Sequence, residues 1–460
     1  MTTDPPHERP FRGGRAYVVS DVRTRPVFTG ALASDAALLE SFVGAGEAAL
    51  GTNLDPEQSV AVREELRGAR HTFLRHHAAA LYQELTEGFQ KPRRTEALLE
   101  LAAEHVPGLV PDQRAMARER TRKQSEKEGL EIDQGELIAQ FLADRRSGLH
   151  LVHSMLRPKE ESLARLDEFR HQGRLDLGAA RAWRQGRLGV VELYNPMVLN
   201  AEDDSTTAAL EIGVDLVLLD PEIEVCMLRG SVSEHPKYRG RRIFNSGINL
   251  TDLYWGRISF AEFFIPRELG YVNKIRRGIW HPDAWHQDGW AEELEGTWEK
   301  PWIMPVESHA IGGGCQLLLT ADRILAERGS IATLPARKEG IIPGVANARM
   351  PIFTGDRVAR QAIMAERGFR FGDDDARALC DEVVDPDDME AAIARNAEEM
   401  VASGPVSSAA NRKALRIIEE PVDDFRRYAA LYCREQARCA FAPALISNLE
   451  RNWRAHERTH

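Results

Sequence analysis

Apolar residues recur at helical spacing through the first third of the chain, at Val62, Leu66, Phe73, Leu81 and Leu85 and again at Leu137, Phe141 and Leu142. Pro107, Pro111 and Pro158 punctuate these stripes. The pattern predicts an all-helical segment reaching to about Arg170. It changes near Leu175. The run Gly189 to Pro196 reads as a strand ending in a turn, Ser205 to Leu218 as a helix with Ser205 as its cap, and Ile223 to Leu228 as a short buried strand. Pro301 to Val306 is another short apolar run, followed by Gly312-Gly313-Gly314 and a helix-like segment from Gln316 to Leu325. Alternating strands and helices predict an α/β core. Helical spacing returns over Asp388 to Ser403 and Asn411 to Glu419, and the tail from Asp423 to His460 is amphipathic. The expected division is a helical N-terminal domain (residues 1–174), an α/β core (175–410) and a C-terminal helical segment (411–460).

Composition narrows the class. At 460 residues the chain exceeds one typical domain, and 43% hydrophobic content suits a packed globule. No apolar run approaches the roughly 20 residues of a membrane span, and Met1 to Arg15 lacks the apolar stretch of a secretory signal. The five cysteines, Cys226, Cys315, Cys380, Cys433 and Cys439, have no paired-ligand spacing and suit a reducing cytoplasm. A net charge of -11 argues against general nucleic-acid binding. Arg118 to Lys127 reads as a solvated helix face. No dinucleotide fingerprint, P-loop or cysteine cluster is present. His150 and His153 read as structural or exposed, since no third ligand accompanies them. His281 and His286 flank Asp283 in a Trp-rich loop, where a facial iron triad is the less favoured reading.

The triple glycine at a strand-to-helix junction is the strongest chemical signal. Glycines there admit a bound group to the backbone, and peptide N–H groups at a helix start stabilise developing negative charge. A tight packing turn is the bland alternative. Upstream, the Ile223 strand leads through a basic loop into Phe244-Asn245-Ser246-Gly247-Ile248-Asn249-Leu250. Downstream come Pro335, Ile341-Ile342-Pro343-Gly344, and Asp375 to Val384, a small-residue helix followed by a valine strand. In this order, over about Arg184 to Ala410, these elements resemble the crotonase (enoyl-CoA hydratase/isomerase) superfamily. The resemblance implies a crotonase (ββα spiral) core, with the N-terminal helices and the helical tail as additions. It also implies an oxyanion hole for an acyl-CoA thioester, made by the amides of Ile248 and Gly313, and assembly into trimers or pairs of trimers.

A hydratase of that superfamily carries one Glu two residues after its triple glycine and another beside the proline before the Pro-Gly turn. This chain has Gln316 and Ala336 there, and neither exchanges a proton with water at neutral pH. These departures resemble the cofactor-independent dioxygenase branch, which oxygenates a dihydroxylated arylacetyl-CoA in antibiotic-precursor biosynthesis. By that resemblance no metal or cofactor is expected, CoA belongs to the substrate and O2 is the co-substrate. Gln316 would hydrogen-bond ring or oxygen species, and Arg267 would donate to a ring hydroxyl or else pair with Glu268 or Glu262. Glu202 would accept from a ring hydroxyl or else serve as a first-turn helix acid. His235 is either catalytic or a packing residue of its loop. Lys237, Arg239, Arg241 and Arg242 either meet CoA phosphates or form a solvated loop. Ala336 and Ile341 would hold O2. The α-proton base is left unassigned, and an isomerase or hydrolase using the same oxyanion hole is the alternative activity. A CoA-binding scaffold without turnover is the non-enzymatic one.

Overall fold

The structure is a computed structural model and describes residues 25–280, 297–402 and 404–458. The chain divides into two compact units: one ends at His77 and takes in Val106–Leu109, and the other holds Ala78–His105 and continues from Val110. In the first, helix Leu32–Leu50 buries Leu39, Phe42 and Val43, and Asp35 accepts from the Thr29 and Gly30 amides and from His77.

The second unit is built on a seven-stranded sheet. Its strands in spatial order are Arg174–Asp176, Ala180–Gln185, Leu188–Leu193, Val225–Gly230, Trp302–Val306, Arg323–Glu327 and Glu382–Val384. The first two pairs are antiparallel, and from Leu188–Leu193 onward all pairs are parallel. Parallel strands are covered on both faces, and accordingly every residue of Leu188–Leu193 and Val225–Gly230 is buried. Helix Met389–Ala402 lays Met389, Ala392, Ile393 and Ala397 over Val190, Val225, Met227, Ile303 and Leu325. Helix Asp204–Leu219 covers strands on the other face, where Gly189 and Gly213 admit it: a Cβ on Gly189 would come within 3.0 Å of Val217, and one on Gly213 equally close to Val191.

A second sheet of three short strands, Phe369–Arg370, Ile331–Thr333 and His309–Ile311, accompanies the first. Two successive turns of the chain repeat one plan. Trp302–Val306 enters the large sheet, His309–Ile311 the small one, and helix Gly313–Leu318 follows; then Arg323–Glu327, Ile331–Thr333 and helix Ala336–Glu339 do the same. This is the ββα spiral. Among the described residues no helix is long and apolar enough to cross a membrane.

Several local expectations shift. The helix cap at Asp204–Leu219 is Asp203, not Ser205: its side chain accepts from the Thr206 amide while Thr206 Oγ1 accepts from the Asp203 amide. The helix after the triple glycine begins at Gly313 and stops at Leu318, and Leu325 belongs to a strand. Short apolar runs such as Ile324-Leu325-Ala326 do not reveal their period. Arg118 to Lys127 is not one solvated face. Its helix ends at Arg120, and Glu119 is buried, accepting from the amides of Glu128, Gly129 and Leu130. His150 is buried between Tyr82 and the Phe89 carbonyl, so it packs rather than ligates. His281, Asp283 and His286 lie outside the described residues.

Candidate active site

Two backbone loops meet at the end of the small sheet. Asn245 bridges to Ala310 in parallel, its amide donating to the His309 carbonyl and its carbonyl accepting from Ile311. Gly247, with φ 80°, turns the chain against the triple glycine, where a Cβ would lie 2.9 Å from the Ile311 oxygen. Ile248 then forms a parallel bridge with Glu202, whose amide donates to Gly247 O at 2.7 Å and whose carbonyl accepts from Asn249 N at 2.7 Å. In such a bridge the central residue's own N–H points away from its partner. The Ile248 amide therefore faces the opposite side from Glu202. Gly312 (φ 52°) turns the second loop, and Gly313 opens helix Gly313–Leu318, where first-turn amides have no intrahelical acceptor. Among the described residues neither the Ile248 nor the Gly313 amide donates to the protein.

Both residues line one cavity of about 30 Å³, together with Arg267, Gln316, Ala336 and Ile341. Six residues singled out in the sequence thus converge on one space. A third element supplies much of the wall. Residues 260–277 are one helical stretch in which Phe260–Phe264 and Arg267–Tyr271 are π turns, with Gly270 (φ -92°, ψ -111°) non-helical. π turns re-aim side chains by widening the helix, and they recur at functional sites. Here they present Phe263, Phe264, Arg267 and Glu268 to the cavity.

Arg267 is the hub. Its Nε and Nη2 donate to the two oxygens of Glu202 at 2.8 and 3.0 Å, Nη2 also to Gly313 O at 3.0 Å, and Nη1 to Glu268 at 2.5 Å and Gln316 Oε1 at 2.7 Å. All five guanidinium hydrogens are engaged. Glu202 is fully buried and also accepts from Asn245 Nδ2 and the Tyr271 hydroxyl. Burial pushes the Glu202 carboxyl up, but the Arg267 charge and these donors hold it below the usual range. Since Arg267 only donates, the Gln316 oxygen faces it, and among the described residues the Gln316 amide nitrogen has no protein partner. Glu202 does not line the cavity; it braces Arg267 from behind.

The remaining predicted residues lie elsewhere. His235 is half-buried, its Nδ1 accepting from the Lys237 amide at 3.3 Å. Lys237, Arg239 and Arg241 are exposed, whereas Arg242 donates to Glu192 and Gly230 O, each at 2.8 Å. The cavity also contains residues that sequence reasoning did not place there: Glu268, Glu339, Tyr432, Phe263 and Phe264. Glu339 stands one helical turn after Ala336, and that i, i+3 spacing was an available signal. Tyr432, from the C-terminal helix Val422–Ala440, had none. Burial pushes the Glu339 carboxyl up to about 7. Among the described residues no group of three or more His, Cys, Asp or Glu is placed to hold a metal ion.

Residues 285–428 match the enoyl-CoA hydratase/isomerase family. The chain is 42% identical over 386 residues to the (3,5-dihydroxyphenyl)acetyl-CoA 1,2-dioxygenase of Amycolatopsis orientalis, covering 83% of this chain and 85% of that one. It is 24% identical over 234 residues to the short-chain-enoyl-CoA hydratase of Clostridium acetobutylicum, covering 50% of this chain and 78% of the other. Among solved structures, an enoyl-CoA hydratase from Mycobacterium avium subsp. paratuberculosis K-10 aligns with a TM-score of 0.48 at 17% identity, over 60% of this chain and 98% of that one. The chain belongs to the enoyl-CoA hydratase/isomerase (crotonase) family, in the branch represented by (3,5-dihydroxyphenyl)acetyl-CoA 1,2-dioxygenase.

Proposed function

We propose that the chain oxygenates (3,5-dihydroxyphenyl)acetyl-CoA, giving 3,5-dihydroxyphenylglyoxylate and free CoA. The observation that carries this is a pair of amides without a protein acceptor among the described residues, those of Ile248 and Gly313, in residues that line one cavity where a hydratase's two acids are replaced by Gln316 and Ala336. The amides hold the thioester oxygen as the α-carbon loses a proton, and one such donor is worth about 3 kcal/mol of barrier. Conjugation with an electron-rich ring makes the enolate a reductant for O2. The peroxide formed at the α-carbon attacks the thioester carbonyl and CoA departs; the remaining α-hydrogen then leaves as a proton while the O–O bond breaks, so that both oxygen atoms remain in the α-keto acid. The enolate itself supplies the electrons, so the proposal needs no metal or organic cofactor.

Arg267, braced by Glu202, orients Gln316, whose free amide nitrogen is suited to a ring hydroxyl. Ala336 and Ile341 supply the apolar wall of an O2 site, and filling it by Ala336→Leu should lower oxygen uptake at unchanged substrate affinity. The exposed Lys237, Arg239 and Arg241 suit CoA phosphates, while Arg242 is committed to Glu192. His235 is assigned to the packing of that loop. Assembly as trimers or pairs of trimers is part of the proposal.

Metal-stripped protein given this thioester should consume oxygen and release thiol in equal amounts, and turnover should stop without oxygen. Continued anaerobic turnover would instead favour an isomerase or hydrolase, for which the Glu339 carboxyl in the cavity is the supporting observation.

A further inference from the structure

Three carboxyl groups stand in or directly behind the cavity, and their engagements differ. Glu202 takes donors from Arg267, Asn245 and Tyr271. Glu268 takes Arg267 Nη1 on one oxygen and the Val345 amide at 3.2 Å on the other. Glu339 is 7% exposed, lines the cavity, and has no side-chain hydrogen bond or ion pair among the described residues. A buried carboxyl normally acquires donors, because leaving one unpaired forfeits its hydration without return. Glu339 lines the same cavity as Ile248 and Gly313, the two residues whose amides donate to no protein group among the described residues.

We infer that Glu339 is the base that removes the α-proton of the bound thioester, one helical turn from the position at which a hydratase carries its acid; the inference rests on the function proposed above. The α C–H bond breaks and an O–H bond forms on the Glu339 carboxylate. The electron pair moves into the enolate, and its negative charge settles on the thioester oxygen between the two amides. The proton on Glu339 is then available to the departing CoA thiolate, which restores the carboxylate.

The surroundings suit a group that must change its charge. Burial raises Glu339 to about 7, where acid and carboxylate forms are both populated near neutrality. The other ionisable groups on the cavity are Arg267, committed to Glu202 and Glu268, together with Glu268 itself and Tyr432, whose phenol burial keeps well above its usual range. On the flanking chain, Arg337 and Lys338 pair with Glu366, and Asn452 donates to the Lys338 carbonyl. None of these pairs with Glu339.

The test is wash-in of deuterium at the α-carbon of (3,5-dihydroxyphenyl)acetyl-CoA in anaerobic D2O, alongside aerobic oxygen uptake. Glu339→Gln keeps the shape. It should slow exchange about 100-fold or more with thioester affinity unchanged, and should abolish a rise in wild-type exchange near pH 7. Glu339→Ala should regain exchange on addition of formate. Rescue together with a lost pH limb is not expected of a merely structural glutamate. Wild-type exchange by Glu339→Gln would overturn the assignment while leaving the oxygenase function intact. Exchange by wild-type protein without oxygen uptake in air would overturn the oxygenase function and leave Glu339 as the base. Absence of exchange in the wild type would overturn the assignment of Glu339, and absence of exchange together with absence of oxygen uptake would overturn both.

Discussion

At the scale of single residues the site is a contest for donors. Arg267 engages two carboxylates, a carbonyl and an amide oxygen, so its removal leaves Glu202 and Glu268 buried without their cation. Arg267→Met should cost about 3–5 kcal/mol of stability in denaturant unfolding. Gln316→Glu is the finer probe. A carboxylate still accepts from Arg267 but no longer donates toward the cavity, so a donor role for Gln316 predicts at least a tenfold loss of turnover with folding retained. Glu339 carries the clearest pH signature. Its folded pKa is raised from 4.5 to about 7, so the neutral acid is the form that folding favours. Stability from this group is fully present below the ordinary carboxyl value and is lost as pH rises through about 7. Glu339→Gln should therefore match the wild type near pH 4.5 and exceed it at alkaline pH by up to about 3 kcal/mol.

At the scale of elements, glycine positions decide whether the two amide loops fit. A Cβ on Gly313 would stand 2.4 Å from Glu202 Oε1 and 2.8 Å from Arg267 Nη2, both held in the buried pair. Neither can retreat cheaply. Gly313→Ala is expected to lower the melting temperature and remove turnover together, because the helix start must shift away from the Ile248 loop. These turns are legible in the sequence because each is a short motif with its own chemistry. Ile248, Gly313, Gln316, Ala336 and Ile341 all lie within a few residues of a glycine or proline that marks the loop. The ββα spiral is legible for the same reason. What escapes is set by distance or by register. Tyr432 reaches the cavity from a helix that begins at Val422, far downstream of the Pro343-Gly344 turn, and no local pattern announces it. The π turns at Phe260–Phe264 and Arg267–Tyr271 break the helical period on which the sequence reading relied. That is why Glu268 read as a surface ion-pair partner rather than part of the wall. Asp203 displaced Ser205 as cap because both residue types cap, and only the pairing with Thr206 distinguishes them.

Within the larger unit as a whole, the helices on either side of the spiral in sequence meet next to its site. Helix Glu131–Ala143 packs along Val422–Ala440, and Gly135 is a point of close approach: a Cβ there would lie 2.7 Å from Ala437 Cβ, 2.8 Å from Cys433 O and 3.2 Å from the Phe260 ring. Gly135 therefore sits where the early helix, the C-terminal helix and the start of the π segment converge. Tyr432 precedes Cys433 on that C-terminal helix and lines the cavity, and Tyr428, one turn earlier, donates its hydroxyl to the Gly344 carbonyl of the Pro-Gly turn. Glu131 accepts from the Phe260 amide at 3.1 Å, so the same early helix also fixes where the π segment begins. A side chain at position 135 has no room beside a backbone carbonyl and must push the helices apart. Gly135→Val should then withdraw Tyr432 and loosen residues 260–277 while the large sheet, whose strands it does not touch, stays folded. Hydrogen exchange is expected to show faster amide exchange confined to the helical segments 131–143, 260–277 and 422–440, with protected strands and at least a tenfold fall in turnover. Uniformly faster exchange would mean that the helical layer stabilises the whole unit rather than aligning one wall of its cavity.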